Sequence, residues 1–154
     1  MASHGRELRL AGVTDVEAVR RLVRDAYAVY VPRIGREPAP MTADYEALVA
    51  AGEVIVAVEG DGIVGVLVLR ARPDSLLVEN VAVAPFAQGR GIGRTLLAHA
   101  ETRARELGLG KVALYTNAKM TENLSFYPAL GYVQVERRRE RGFERVFFEK
   151  TLRP

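Results

Sequence analysis

Val81-Ala82-Val83-Ala84-Pro85-Phe86-Ala87-Gln88-Gly89-Arg90-Gly91-Ile92-Gly93-Arg94 is the stretch on which the reading of this chain turns. An apolar strand runs into a turn rich in glycine and arginine, and then into a helix. Glycines let successive backbone amides point inward with no side chain in the way. The new helix adds its own unpaired amides and the positive end of its dipole. Such a nest of amides holds phosphate oxygens, and Arg90 and Arg94 can add charge. Two nucleotide patterns fail on this loop. A P-loop needs a lysine and a serine or threonine after its second glycine; the spacing here differs and no lysine is present. The dinucleotide fingerprint wants glycines at its first, third and sixth positions. Counted from Gly89, the sixth position is Arg94, and the loop comes late in the chain, after an antiparallel hairpin signal. The spacing that does fit is glutamine, two residues, glycine, one residue, glycine: Gln88, Gly91 and Gly93.

Outward from the loop, the signals alternate between strand and helix, as in an α/β or α+β domain. Arg6 to Leu10 reads as a short strand. Thr14-Asp15-Val16-Glu17 has the form of a capping box, and Val16, Val19, Leu22, Val23, Ala26, Tyr27 and Tyr30 follow at helical spacing. Val31 to Pro40, with three prolines and a glycine, reads as a loop. Thr42 and Asp44 start a shorter helix that runs to about Ala51. Glu53 to Glu59 and Ile63 to Arg70 are β-branched runs joined by Gly60-Asp61-Gly62, a hairpin signal. Ser75 to Ala84 is a strand broken by Pro85. Gly91 to Leu107 is an amphipathic helix, with Ile92, Leu96, Leu97, Ala100, Ala104 and Leu107 on one side. Lys111 to Thr116 is a strand, and Thr121 to Leu130 is a short helix ended by Gly131. Tyr132 to Arg139 and Phe143 to Leu152 are a final pair of strands. The order is β-α-α-β-β-β-α-β-α-β-β.

Composition narrows the function. The 154 residues predict one domain over 1–154. There is no cysteine, which removes disulfides, thiolate nucleophiles and cysteine-ligated metals. His4 and His99 are the only histidines and lie far apart, so no metal site is expected. The net charge of +3 does not call for nucleic acid, and no apolar run reaches the length of a membrane span. Met1 to Arg9 lacks the apolar core of a signal peptide, so a cytoplasmic location is expected.

Loop, preceding strand and following helix together resemble the acetyl-CoA pyrophosphate loop of the GNAT superfamily of N-acetyltransferases. Glu122-Asn123-Leu124-Ser125-Phe126-Tyr127-Pro128-Ala129-Leu130-Gly131-Tyr132 is similar to the family's tyrosine-bearing helix, and the element order matches across nearly the whole chain. The resemblance implies a mixed, mostly antiparallel central sheet of about six to seven strands with about four helices. It implies an acyltransferase that moves the acetyl group of acetyl-CoA, a co-substrate, to a primary amine of a small molecule or peptide by direct attack in a ternary complex. The alternative is a non-catalytic acetyl-CoA-binding sensor or regulatory module, since binding glycines and catalytic groups are separable.

Carried over residue by residue, the family's pattern gives the amides of Val81, Ala82 and Val83 the pantetheine arm and the acetyl carbonyl. Gln88, Gly89, Arg90, Gly91, Ile92, Gly93 and Arg94 take the pyrophosphate. Tyr127 aligns with the family's frequent general acid for the departing thiolate, although on spacing alone it reads as a core aromatic, and Pro128 should bend its helix. Asn123 is a candidate cofactor contact and equally an exposed first-turn residue. Glu79 is the candidate for accepting the amine's proton or anchoring a cationic substrate: strand alternation puts it on a face with Leu77, Val81 and Val83, and a carboxylate there is costly to bury unpaired. Pairing with a nearby arginine is the competing account of Glu79. Asn80 faces the other way and reads as structural. Tyr30, Arg33 and Met41, in the loop that lines the acceptor pocket in this family, are candidate substrate contacts, and Arg33 can hold a carboxylate. The run Glu136-Arg137-Arg138-Arg139-Glu140-Arg141 reads as a solvated face. His99 reads as a surface or packing residue and His4 as part of a mobile terminus. A homodimer through the final strands is a further expectation.

Overall fold

The computed structural model describes residues 6–153; His4 lies outside them. The elements are β1 (Arg6–Leu10), α1 (Val16–Tyr27), α2 (Val31–Ile34), α3 (Tyr45–Ala50), β2 (Val54–Glu59), β3 (Gly62–Ala71), β4 (Leu76–Val83), α4 (Ile92–Glu106), β5 (Lys111–Asn117), α5 (Thr121–Ala129), β6 (Val133–Glu140) and β7 (Phe143–Thr151). The strands form one seven-stranded sheet in the order β1-β2-β3-β4-β5-β7-β6. Pairs β1/β2, β2/β3, β5/β7 and β6/β7 are antiparallel and β4/β5 is parallel. The expected mixed, mostly antiparallel sheet is therefore present. Four helices of six residues or more accompany it, with α2 a single additional turn.

Contacts group the chain into two compact units, one holding the residues up to Leu69 with Asn80–Leu97, the other Arg70–Glu79 with the chain from Ala98 onward. In the first unit, α1 buries Val16, Val19, Leu22 and Val23, one stripe of its helical period. The β2/β3 hairpin turns at Gly60-Asp61 and pairs Val56 with Val66 and Ala57 with Gly65, with a register shift between Ala57 and Val58. The first turns of α4 pack directly over Gly65. A Cβ built there would lie 2.9 Å from Ile92 Cγ2 and 3.0 Å from Leu96 Cδ1, so any larger residue forces these methyl groups to shift.

Two local expectations are corrected in this unit. The Thr14–Glu17 capping box does not form. Val13–Asp15 make a 3-10 turn and α1 begins at Val16, which carries Thr14 past the capping position. Asp15, the residue before α1, makes no side-chain cap on that helix and closes the 3-10 turn instead: its Oδ2 accepts from the Gly12 amide and from Arg9 Nη1, each at 2.7 Å, while Glu17 pairs with Arg20. The proline-rich stretch is also more than a loop. Pro32 sits in the first turn of α2, and Pro40 in a 3-10 turn over Ala39–Thr42. Proline's fixed φ and missing N–H suit the first turn of a helix. Asp44 caps α3 as the sequence implies, accepting from the Ala47 amide at 3.1 Å.

In the second unit, β4 pairs with β5 at Leu76↔Val112, Leu77↔Ala113 and Val78↔Leu114. β5 then pairs with β7 along its whole length, and β7 with β6. Val112, Leu114, Val146 and Phe148 are buried here, together with Ala100 and Ala104 of α4. The residues of β6 are exposed, Glu140 excepted. The charge run on it is a solvated face whose arginines are paired within the hairpin: Arg138 with Glu136 and Glu140, and Arg137 with Glu144.

Candidate functional site

In the first unit the end of β4 delivers the chain into the glycine loop. Ala82 is buried, while Val81 and Val83 are half-buried. The Ala84 amide donates to the Val64 carbonyl at 2.9 Å, and a 3-10 turn over Pro85–Ala87 closes with Ala87 N–H to Ala84 O at 2.8 Å. Gln88 folds back on the strand it follows, its Nε2 donating to the Val83 carbonyl at 3.3 Å. Gly89 and Gly91 then take φ of 82° and 81°. No atom lies within 4 Å of a Cβ built on either. These two glycines serve the left-handed backbone and the open space above it, not close packing. Ile92, only 1% exposed, anchors the start of α4 in the core, so the first amides of a 15-residue helix face out of the loop with no intrahelical acceptor. Amides, open space and helix dipole together fit a pyrophosphate.

The two arginines of the loop differ. Arg90 Nη2 is ion-paired with Glu59 Oε1 at 3.1 Å, and its Nε donates to Ala87 O at 3.5 Å. Arg94 is exposed, and no partner is present for it among the described residues. Glu59 is shared with Arg6, whose Nε donates to its Oε2 at 3.1 Å. Sequence reading passed over Arg6 and Glu59. The available signal was their opposition at the ends of β1 and β2, where Arg6 pairs in register with Glu59.

Also in this unit, the Arg33 guanidinium lies 5.0 Å from the centre of the Tyr30 ring. Met41 belongs to the separate Ala39–Thr42 turn, its amide donating to Pro38 O at 3.0 Å. Asn80 is buried and structural in its bonding. Its Oδ1 accepts from Tyr27 OH at 2.6 Å, its Nδ2 donates to Tyr45 OH at 3.1 Å, and that phenol donates to Pro40 O at 2.6 Å. One amide thus ties β4 to α1, to α3 and to the proline-bearing turn.

In the second unit Glu79 follows the last residue of the β4/β5 ladder. Its Oε1 is ion-paired with Arg70 Nη1 at 3.1 Å, with Arg70 half-exposed. The arginine partner is real, and the pair is open enough to solvent for a cationic group to compete for the carboxylate. Tyr115 of β5 is an addition the sequence did not flag. Burial pushes its phenol up, the nearby Arg145 opposes this and the Glu79 charge reinforces it. The Arg145 guanidinium lies 4.5 Å from the Tyr115 ring centre and is ion-paired with Glu140 at 2.6 Å.

Tyr127 is buried on α5, its ring against Phe126, Tyr132 and Phe148 at centroid distances of 5.4, 5.9 and 5.7 Å. Pro128 follows it as the penultimate residue of this nine-residue helix. The amides of Leu130 and Tyr132 both return to the Tyr127 carbonyl, at 3.0 and 3.1 Å. Gly131, with φ of 95°, ends the helix as the sequence implies, its amide donating to Pro128 O at 3.0 Å, and Pro128 lies inside the helix near that end. The Tyr132 hydroxyl is buried with no partner among the described residues, and burial pushes its phenol up. Asn123 Nδ2 donates to Thr116 Oγ1 at 2.9 Å, fixing α5 to the end of β5. His99 is half-buried on α4. Among the described residues there is no cluster of metal-ligating side chains, and no helix is long and apolar enough to cross a membrane.

The family model for the acetyltransferase (GNAT) family matches residues 16–132. The chain belongs to that family. Over 82 residues it is 33% identical to the uncharacterized N-acetyltransferase YvbK of Bacillus subtilis, a stretch covering 53% of each chain. Over 52 residues it is 46% identical to a mycothiol acetyltransferase of Nocardia farcinica, covering 34% of this chain and 17% of that one. The match thus spans about half the length of the first relative and far less of the second. Among solved structures, PaiA N-acetyltransferase from Thermoplasma acidophilum in complex with coenzyme A superposes with a TM-score of 0.81 at 17% identity, covering 97% of this chain and 100% of that one. YncA from Salmonella typhimurium, solved with its cofactor acetyl-CoA, gives 0.73 at 19% identity, covering 97% and 95%. At these identities the two structures establish the shared fold.

Proposed function

We propose that this chain, as a single cytoplasmic domain over 1–154, transfers the acetyl group of acetyl-CoA to a primary amine of a small molecule or peptide by direct attack in a ternary complex. The observation that carries the reading is the loop after β4, where two left-handed glycines leave the backbone uncovered by side chains at the start of a long helix. Family membership adds the chemistry. Acetyl-CoA supplies an activated thioester, and the chain's own groups hold it and move protons. The amides of Gly89 to Arg94 bind the pyrophosphate, with Gln88 at the start of the loop. Those of Val81, Ala82 and Val83 hold the pantetheine arm and polarise the carbonyl oxygen as it gains charge. The neutral amine nitrogen bonds to the carbonyl carbon as the C–S bond breaks. Glu79 takes the amine's proton, directly or through water, and Tyr127 gives a proton to the sulfur. Asn123 supports α5 beside the cofactor, and Tyr30, Arg33 and Met41 contact the acceptor.

The test is thermal unfolding with acetyl-CoA and with pantetheine as control, followed by a screen of amines. A ligand that binds only the folded state raises the midpoint. A rise with acetyl-CoA that is lost in Gly91→Glu, followed by CoA release with an amine, is the expected result. Binding without turnover of any amine would point to the sensor module instead. No rise at saturating acetyl-CoA would overturn the donor assignment.

A further inference from the structure

At the glycine loop, two side chains that no motif contains reach two backbone carbonyls, and a third, Glu59, holds one of them. Arg6 Nη2 donates to the Arg90 carbonyl at 3.2 Å, and its Nη1 donates to Thr95 Oγ1 at 3.4 Å. Thr95 Oγ1 in turn donates to the Gly91 carbonyl at 3.0 Å. Glu59 holds Arg6 with one oxygen and the Arg90 guanidinium with the other, each at 3.1 Å. Glu59 is about three-quarters buried, with 23% of its side chain exposed, so both pairs are partly shielded from solvent.

The consequence follows from peptide geometry. In a trans peptide the C=O and the next N–H point in opposite directions, and this chain has no cis peptide. Holding the Arg90 carbonyl toward Arg6 turns the Gly91 N–H the other way. Holding the Gly91 carbonyl toward Thr95 does the same for the Ile92 N–H. These are amides that the proposed function assigns to the pyrophosphate. The Gly91 carbonyl also accepts the Thr95 amide at 3.0 Å, the first backbone bond of α4, so the Thr95 hydroxyl reinforces a plane that the helix already holds; the Arg90 carbonyl, in a residue flanked by glycines with little intrinsic preference, is held by Arg6. The same network occupies the Arg90 guanidinium and leaves Arg94, exposed in the first turn of α4, as the arginine here with no partner among the described residues.

We propose that Arg6, Glu59 and Thr95 are positioning residues for donor binding: they fix the peptide planes of the 90–92 segment so that its amides converge on the pyrophosphate, with Arg90 as a brace and Arg94 as the side-chain contact. The proposal rests on the acetyl-CoA reading of the loop. It makes a prediction whose sign is opposite to that of simple electrostatics. Glu59→Gln removes a negative charge near an anion site, which by Coulomb attraction alone tightens binding. It also presents an N–H to one of the two guanidinium groups in place of an acceptor, which breaks the brace.

The experiment is calorimetric titration with CoA and with pantetheine, on wild type, Glu59→Gln, Thr95→Val and Arg94→Gln, with the unliganded melting midpoint of each. The expected result is a Kd for CoA raised about fivefold in Glu59→Gln and about two- to threefold in Thr95→Val, in the range of coupled neighbours. Pantetheine binding and the unliganded midpoint change little. Arg94→Gln weakens CoA and flattens its salt dependence, which Glu59→Gln leaves as it is. Tighter or unchanged CoA binding in Glu59→Gln overturns the brace while the donor assignment stands. Equal loss for pantetheine reduces the three residues to general support of the fold and also overturns it. A wild type that binds no CoA overturns the donor reading and the brace with it. Thr95→Val, which keeps shape and removes one hydroxyl, decides the matter should Glu59→Gln not fold.

Discussion

Gly65→Ala should destabilise this protein although it adds one methyl group to a strand. The new Cβ would lie 2.9 Å from Ile92 Cγ2, 3.0 Å from Leu96 Cδ1 and 3.3 Å from Ala57 Cβ. Carbon atoms rest at roughly 3.5–4.0 Å, so each contact is short by several tenths of an ångström. Leu96 can relieve its contact by turning a terminal methyl. Ile92 cannot, because a β-branched side chain in a helix is confined to one χ1 well and this one is only 1% exposed. The strain must move the first turn of α4 away from the sheet. Overpacking of this kind costs about 1–3 kcal/mol. Against it stands a gain of about 0.4–1 kcal/mol, because alanine restricts the unfolded chain more than glycine does. With the middle of each range, about 2 against about 0.7, the net loss is about 1.3 kcal/mol. At about 2–4 °C per kcal/mol for a chain of this size, the melting midpoint falls by about 3–5 °C. The same shift displaces the segment that begins the helix, so on the proposed reading of the loop CoA binding weakens too.

Thermal and urea unfolding of four proteins tests this: wild type, Gly65→Ala, Ile92→Ala and the double variant. Ile92→Ala alone opens a cavity and costs about 2–5 kcal/mol. In the double variant the methyl added at position 65 enters space that Ile92 has vacated, so the two costs fall short of their sum by more than about 0.5 kcal/mol. A Gly65→Ala midpoint within a degree of wild type, or strict additivity in the double variant, refutes the close approach of α4 to Gly65 as the cause.

Three further outcomes follow from the geometry. Tyr127→Phe keeps the ring contacts with Phe126, Tyr132 and Phe148 and should lower turnover by about 10²–10⁴-fold at saturating acetyl-CoA with a nearly unchanged midpoint; a loss under tenfold removes Tyr127 as the acid. Asn80→Leu deletes the acceptor for Tyr27 OH and the donor to Tyr45 OH, costing about 1–3 kcal/mol, read as an earlier urea midpoint; wild-type stability would show the tyrosines anchored by other groups. Arg9 first, and then the Gly12 amide, hold the Asp15 carboxyl below its ordinary range. A depressed folded pKa gives stability that is present above the unfolded pKa and lost as pH falls through the folded one. Asp15→Asn should therefore flatten the fall in melting midpoint between roughly pH 5 and pH 2, and a profile parallel to wild type would show that the ion pair contributes nothing to acid sensitivity.

How far the sequence could be read depended on the distance over which each feature is determined. The glycine loop was legible because strand, turn and helix follow one another without a break. The Gly60-Asp61 hairpin and the Asp44 cap were legible for the same reason. The start of α1 was not. Thr14 and Glu17 satisfy the local pattern, but Arg9 reaches from the end of β1 and selects Asp15. The facing of Asn80 followed from alternation along one strand. Its partners could not, because Tyr27 and Tyr45 come from two different helices. The end of α5 was legible too, because Gly131, which takes φ of 95° just past the helix, is a local signal.

Distance along the chain is also why the donor half of the function is readable in such a sequence and the acceptor half is not. In the proposed reading the donor is held by main-chain amides, and the only sequence requirement that amides impose is the absence of side chains at Gly89 and Gly91, which a reader sees at once. What makes those amides converge is encoded elsewhere, in a charged pair from strands near the start of the chain and one threonine a helical turn beyond the loop. Such support can change its residues whenever another group reaches the same two carbonyls, so it leaves no motif. The arginine that stands out in the loop, Arg90, belongs to this support through Glu59. The exposed Arg94 looks on inspection like an ordinary helix-surface residue. Counting charges in a glycine loop therefore misassigns them. The question to ask of each is whether a carboxylate behind the loop has already claimed it.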